Sequence, residues 1–511
     1  MNDVAGFSRS NRRRTRYNAA RLGLVVVAAC LVAASCGGQQ PSPSKLHAKS
    51  SSPVNSLSIK RCAVDGLAAR CGTLVVPEDR LTGKGRTITV QFVVIPATGP
   101  HRAPDPVVYF AGGPGGSAVA EIPSELPDLL SLNLQRDLVF IEQRGTGQSS
   151  PLTCPAFPGL GDNAKLRAAV KSCLAHLPGD LRFYTTAMYA DDVNQVLTDL
   201  RYAKVNLMGI SYGTAAEQVF LLRHPSRVRS ITMQSGSPLD VHVIEQAPRN
   251  SQLALDYVFA RCESQPACHR AFPHLAADWA RLWASVGKSP WILPAAQSPT
   301  RTTQRLGQDD LANALYQAMF GYDENLIPVA VHALASAVTP SGKAAAMLAV
   351  IEAAQASGNS SAAGPNLMMP DAITCDEPWA SDRPAALSDQ RASFAYDTDL
   401  QNAQWWQVVC PLIPKSAAAV GDLQLKVSRV PVLAFNGAGD PIEQPRNWAG
   451  AQKYYPDSRD IVLPGQGHDV NSASWQACAG VIDQKFIEQA SLAHLNTSCL
   501  ATIASPFNLT L

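Results

Sequence analysis

The sequence predicts an α/β chain: a mostly parallel, doubly wound sheet with a large helical insertion before its last strands. Three observations carry this. Short apolar, largely β-branched runs alternate with helical patterns up to about residue 239. The stretch 240–425 loses that rhythm and turns Ala-rich and helical in pattern. Two further apolar runs then follow near the C-terminal end.

The runs at 72–76, 87–96, 106–111, 137–141, 204–209 and 228–233 read as strands, as do 430–435 and 460–463. Continuous apolarity, rather than alternation, suits strands buried on both faces. Between them, 190–201 carries Val193, Val196, Leu197 and Leu200 near helical spacing, and 214–224 carries Ala215, Val219, Phe220 and Leu221. Strands alternating with helices imply parallel pairing. Inside the insertion, 309–320 and 329–337 read as helices, the second after Pro328, a residue favoured in a first helical turn.

Composition narrows the class. With 46% hydrophobic residues among 511, a large core is within reach, which excludes a disordered chain. A formal net charge of +2 leaves no nucleic-acid footprint.

The first 36 residues look like an export signal. Arg9, Arg12, Arg13, Arg14, Arg16 and Arg21 precede an apolar run from Leu22 to Ala34. That run is about 13 residues, short of the roughly 20 that span a bilayer. It ends in Ala33-Ala34-Ser35-Cys36, which resembles a bacterial lipobox, although Ala33 stands where Leu is usual. Cleavage there would leave a lipid-bearing Cys36, anchored on the outer face of the cytoplasmic membrane; without lipid the chain would be secreted. Residues 37–57 are rich in Ser and Pro and read as a flexible tether.

Export gives the cysteines a context. Besides Cys30 and Cys36, ten remain: Cys62, Cys71, Cys154, Cys173, Cys262, Cys268, Cys375, Cys410, Cys478 and Cys499. An even number in an oxidising compartment suggests disulfides, and neighbours in chain order make five short-loop pairs, though sequence leaves the connectivity open. There is no C-x-x-C and no H-E-x-x-H, so no metal site is expected.

Chemistry gathers at the strand ends. Gly209-Ile210-Ser211-Tyr212-Gly213 is a G-x-S-x-G between a strand and a helix. Its glycines permit a sharp turn that exposes the Ser211 hydroxyl at a helix N-terminus, as a nucleophile requires. Such a serine needs a base, and the base an orienting acid. His468 follows a late strand in Pro464-Gly465-Gln466-Gly467-His468-Asp469, and Asp440 follows another through Asn436-Gly437-Ala438-Gly439. Asp469 is a less suitable acid, since it adjoins the histidine. A Gly-rich turn, Gly112-Gly113-Pro114-Gly115-Gly116-Ser117, ends the 106–111 strand. Backbone N–H groups of Gly113 and Tyr212 are the expected oxyanion donors. No Lys-Ser/Thr follows the turn, against a phosphate cradle. No cofactor is implied.

At these residues the chain resembles the α/β-hydrolase superfamily, and within it the proline iminopeptidase-like serine aminopeptidases. The segment 111–116 is similar to that group's H-G-G-P-G-G loop, with Ala111 replacing His. Glu142-Gln143-Arg144-Gly145-Thr146-Gly147-Gln148-Ser149 is similar to its D-x-R-G-x-G-x-S segment, with Glu142 replacing Asp. The part from Val430 to Cys499 resembles exported tripeptidyl aminopeptidase-like hydrolases of high-GC Gram-positive bacteria. The resemblance implies an α/β-hydrolase fold, with core segments 58–239 and 426–511 around a helical lid, 240–425. It also implies an exported serine hydrolase that takes residues or short peptides from free N-termini through an acyl-enzyme.

An aminopeptidase needs a carboxylate for the substrate's ammonium, and Glu142 and Glu377 are the candidates. Trp379, Trp405 and Trp406 are aromatic candidates for the pocket wall. Arg144 is expected in an internal ion pair within a tight turn. Two other function classes stay open: an esterase or lipase with the same three residues, and a catalytically silent envelope binding protein.

Overall fold

The computed structural model describes residues 55–510 apart from 299, 322–323, 358–366, 378–383 and 417–422. The expected signal with Cys30 and Cys36, nearly all of the tether, and Trp379 lie outside the described residues. No helix among the described residues is long and apolar enough to cross a membrane.

A nine-stranded sheet organises the chain. In chain order its first seven strands are β1 (Leu57–Val64), β2 (Leu67–Pro77), β3 (Thr87–Ile95), β4 (Val107–Phe110), β5 (Leu138–Ile141), β6 (Val205–Ile210) and β7 (Val228–Gln234). A short hairpin, β8 (Trp291–Leu293) and β9 (Gln304–Leu306), stands apart, and β10 (Val432–Gly437) and β11 (Ser458–Leu463) complete the sheet. The spatial order is β1-β2-β3-β5-β4-β6-β7-β10-β11. From β5 to β11 every pairing is parallel, while β1, β2 and β3 join antiparallel.

Each expected strand is present within a few residues. The centre of the sheet shows why its runs are continuously apolar. Val108, Phe110, Val139 and Ile141 pack to one face, beneath helices Thr186–Asp199 and Tyr212–Arg223. Their alternates Val107, Tyr109, Leu138 and Phe140 pack to the other, beneath helices Ile122–Asn133 and Gly480–Gln489. All eight are buried, and each large apolar side chain removed from water contributes about 1.5–3 kcal/mol. The strand β1 was not anticipated. It is an edge strand whose residues are mostly exposed, so no apolar run marks it. The hairpin of β8 and β9, three residues a side, likewise has too little sequence to show.

Between β7 and β10 the chain is mainly helical, as expected. Helices Val243–Ser264, Leu275–Lys288, Gln308–Phe320 and Ile327–Ser336 enclose a core of their own, including Leu255, Trp279, Leu311, Leu315 and Met347. The ten cysteines pair in chain order: Cys62–Cys71, Cys154–Cys173, Cys262–Cys268, Cys375–Cys410 and Cys478–Cys499.

Candidate active site

The turn from β6 into helix Tyr212–Arg223 places Ser211 at the carboxyl end of the parallel strands. Its backbone sits at φ 53°, ψ −125°, a conformation that costs a non-glycine residue on the order of 1–3 kcal/mol. Surrounding contacts hold it there. The Ser211 N–H donates to the Gln234 carbonyl at 2.9 Å, and the Ser211 carbonyl accepts from the Thr214 hydroxyl at 2.7 Å. The flanking glycines are sterically required. A Cβ on Gly209 would lie 2.5 Å from the Gly213 carbonyl, and one on Gly213 would collide with the Phe110 carbonyl.

Asp440 and His468 come together, both almost fully buried. The Nδ1 of His468 lies 2.9 and 3.1 Å from the two carboxylate oxygens of Asp440, where its N–H can donate. Asp440 Oδ1 also accepts the backbone N–H groups of Ile442 at 2.7 Å and Glu443 at 2.8 Å, which fixes the carboxylate. Burial pushes His468 down, but the charge and hydrogen bond of Asp440 outweigh it and raise the imidazole to about 9. Its other nitrogen, Nε2, is buried and makes no hydrogen bond among the described residues. A buried polar atom left unpaired costs about 1–3 kcal/mol, so such an atom marks a place where chemistry can happen.

Ser211 and His468 are tied to adjacent residues at the end of β7. Gln234 accepts the Ser211 N–H, and the next residue, Ser235, donates its hydroxyl to the His468 carbonyl. A cavity of about 180 Å³ opens at Ser211, with Gly113 and Tyr212 in its wall. Ser211, Gly113 and Tyr212 thus share one space, and Gly112 approaches so closely that a Cβ there would be 3.4 Å from Ser211 Cβ.

Residues 105–283 match the α/β hydrolase fold family. The strand order and the strand–serine–helix turn agree. The fold is that of an α/β hydrolase. Among curated proteins, this chain is 26% identical over 250 residues to a tripeptidyl aminopeptidase of Streptomyces coelicolor, a stretch covering 43% of this chain and 46% of that protein. It is 25% identical over 226 residues to the serine protease Hip1 of Mycobacterium tuberculosis, covering 39% and 42%. The chain spans about half the length, or less, of the curated relatives it matches. Among solved structures it overlays on a proline iminopeptidase of Mycobacterium smegmatis with a TM-score of 0.34 at 16% identity, covering 82% of this chain and 99% of that one.

The two expected substrate carboxylates are occupied internally. Glu142 is buried and accepts hydrogen bonds from Ser117 and, at 3.0 Å, from Thr146, so it braces the 112–117 turn; burial raises its carboxyl. Glu377 accepts the N–H and hydroxyl of Thr186, both at 2.7 Å, and the Thr186 hydroxyl meets the Tyr212 hydroxyl at 2.6 Å. Burial pushes Glu377 up to about 7, with the Thr186 hydrogen bonds opposing. This network holds the Tyr212 side chain behind the serine turn. Neither carboxylate is among the residues lining the cavity. Trp405 is half-buried and meets Phe157 at a ring distance of 6.2 Å, again away from that lining. Arg144 is fully buried in a two-pronged ion pair with Asp192, both arms at 2.7 Å, the internal role expected of it.

Two residues of the site were not anticipated. Phe320, at the end of helix Gln308–Phe320 in the insertion, stacks on the His468 ring with centroids 4.5 Å apart. The backbone there also holds the histidine loop: Met319 and Phe320 carbonyls accept the N–H groups of His468 at 3.2 Å and Asp469 at 2.8 Å. The second is Glu443, three residues past Asp440, which lines the cavity beside Ser211. Its place in the loop after β10 was a hint, since loops at that end of the sheet carry function. Sequence alone does not say which way it points.

Proposed function

We propose that this α/β hydrolase is an exported serine peptidase that removes residues or short peptides from free N-termini. The observation that carries the reading is the buried Asp440–His468 pair, whose Nε2 is unpartnered at the same strand ends as the strained Ser211 turn. The similarity to a tripeptidyl aminopeptidase and a serine protease supports peptides as substrates. Five disulfides support an oxidising compartment, and the Arg-rich, apolar leader with Cys36 supports export with a lipid anchor.

The steps follow from the side chains. His468 Nε2 accepts the Ser211 hydroxyl proton as Oγ attacks the carbonyl carbon. Asp440 holds the imidazole in the tautomer that leaves Nε2 free, and stabilises the imidazolium that forms. The N–H groups of Gly113 and Tyr212 take up the developing oxyanion. His468 returns the proton to the leaving amine as the C–N bond breaks, then draws a proton from the attacking water and passes it to Ser211 Oγ as the acyl–Oγ bond breaks.

The test is turnover of fluorogenic peptide amides with free and with acetylated N-termini, beside a simple ester. Cleavage of free-amine peptides that falls by on the order of 10⁴-fold or more in Ser211→Ala is expected. Ester hydrolysis without any peptide cleavage would instead make the protein an esterase, and equal cleavage of free and acetylated peptides would rule out an aminopeptidase.

A further inference from the structure

The cavity at Ser211 is walled mainly by apolar side chains, among them Leu239, Val241, Val243, Ile244 and Ile442. One charged group, Glu443, joins them. Pockets of this kind use a few placed polar groups to fix a ligand's orientation. The carboxylate is nearly enclosed, and its recorded partners are neutral donors: Asn447 Nδ2 at 3.3 Å and the Ser237 hydroxyl. No ion pair to Glu443 occurs among the described residues. Burial and the charge of Asp440 push the Glu443 carboxyl up to about 7, the hydrogen bonds and the charge of His468 offset this only in part, and a cationic ligand would favour its charged form.

We propose that Glu443 binds a primary ammonium on the acyl half of the substrate. This rests on the peptidase reading and gives it a recognition element. The position is fixed as a binding group requires: the Glu443 N–H is held by Asp440, and the Ile442 carbonyl accepts from Asn250 Nδ2 at 2.6 Å. The carboxylate is therefore set by the same loop that orients His468, at a constant offset from the reacting serine. A cavity of about 180 Å³ suits a short acyl group, since one of about 150 Å³ takes a benzene ring. Either an N-terminal α-ammonium or a lysine side chain could supply the charge.

The experiment uses the purified mature protein, with Glu443→Gln and Glu443→Asp. Substrates are a leucine amide with a free N-terminus, its acetylated form, an acetyl-lysine amide, and a short-chain ester without an amine. Butylammonium serves as an inhibitor of ester hydrolysis. Glu443→Gln should lower the ratio of kcat/KM for the ammonium-bearing amide to that for the ester at least thirtyfold, mainly through KM, and Glu443→Asp should restore part of it. Loss with the free leucine amide alone assigns the α-ammonium; loss with acetyl-lysine amide alone assigns the side chain. Butylammonium should inhibit the wild type at least tenfold more strongly than Glu443→Gln. An unchanged ratio together with equal inhibition of both proteins would overturn the proposal. If the wild type cleaves no amide yet loses butylammonium inhibition in Glu443→Gln, the peptidase reading fails and the ammonium site stands.

Discussion

The sheet side of the site and the insertion side are held by different means. Around Ser211, backbone lies directly on backbone: Gly209 and Gly213 leave no room for a Cβ, and Gly437 approaches the 466–467 carbonyls just as closely. The insertion contributes mostly side chains, Phe320 over His468 and Val243 and Ile244 in the cavity wall, on helices that pack around a second core, with Thr374 beside them on a helix that packs against the sheet's own core. The difference teaches where each property resides. Reaction geometry is fixed by contacts that allow one residue type, whereas the cavity's shape is set by side chains that could be exchanged. Substitutions on the two sides should accordingly separate catalysis from selectivity.

The largest break is expected on the sheet side. Asp440→Asn keeps the shape but favours the wrong imidazole tautomer, and kcat should fall by about 10⁴-fold. Steady-state kinetics at saturating substrate check this, with an unchanged melting temperature showing that the fold survives. Next comes the seam between the two sides. A Cβ on Gly467 would strike the Met319 carbonyl, so Gly467→Ala should shift His468 and lower kcat/KM by about 10²-fold. Near-ultraviolet circular dichroism would show whether the core remains packed. The smallest effect belongs to the insertion. Phe320→Ala removes one ring contact, of about 0.5–1.5 kcal/mol, and should reduce kcat no more than about tenfold. A loss as large as that of Asp440→Asn would dissolve the distinction between the two sides.

The same division explains what was legible in the sequence. Strands buried on both faces announce themselves by unbroken apolar runs, and the glycines at 209 and 213 by the turn they allow. The exposed edge strand β1 carries Lys60 and Arg61 and gives no such signal. Ser211, Asp440 and His468 stand out as candidates in the sequence because each follows a strand through a short, glycine-bearing turn or loop. Glu443 and Phe320 do not, because their roles depend on how the loop after β10 and a helix of the insertion come to lie against the sheet. Glu142 and Glu377 illustrate the converse: carboxylates near the motifs in sequence, yet engaged by Ser117, Thr146 and Thr186.

The central claim is that His468, paired with Asp440, activates Ser211. Asp440 raises the imidazole to about 9 against the opposing effect of burial, so the neutral base is scarce below that pH. The most direct measurement is the rate at which a fluorophosphonate labels the protein as a function of pH, with the adduct located by mass spectrometry. The adduct should sit on Ser211, with a rate rising about tenfold per pH unit to a plateau near pH 9, and Asp440→Asn should move that rise to lower pH. An adduct elsewhere, or a rate on Ser211 that is flat with pH and indifferent to Asp440, would contradict it.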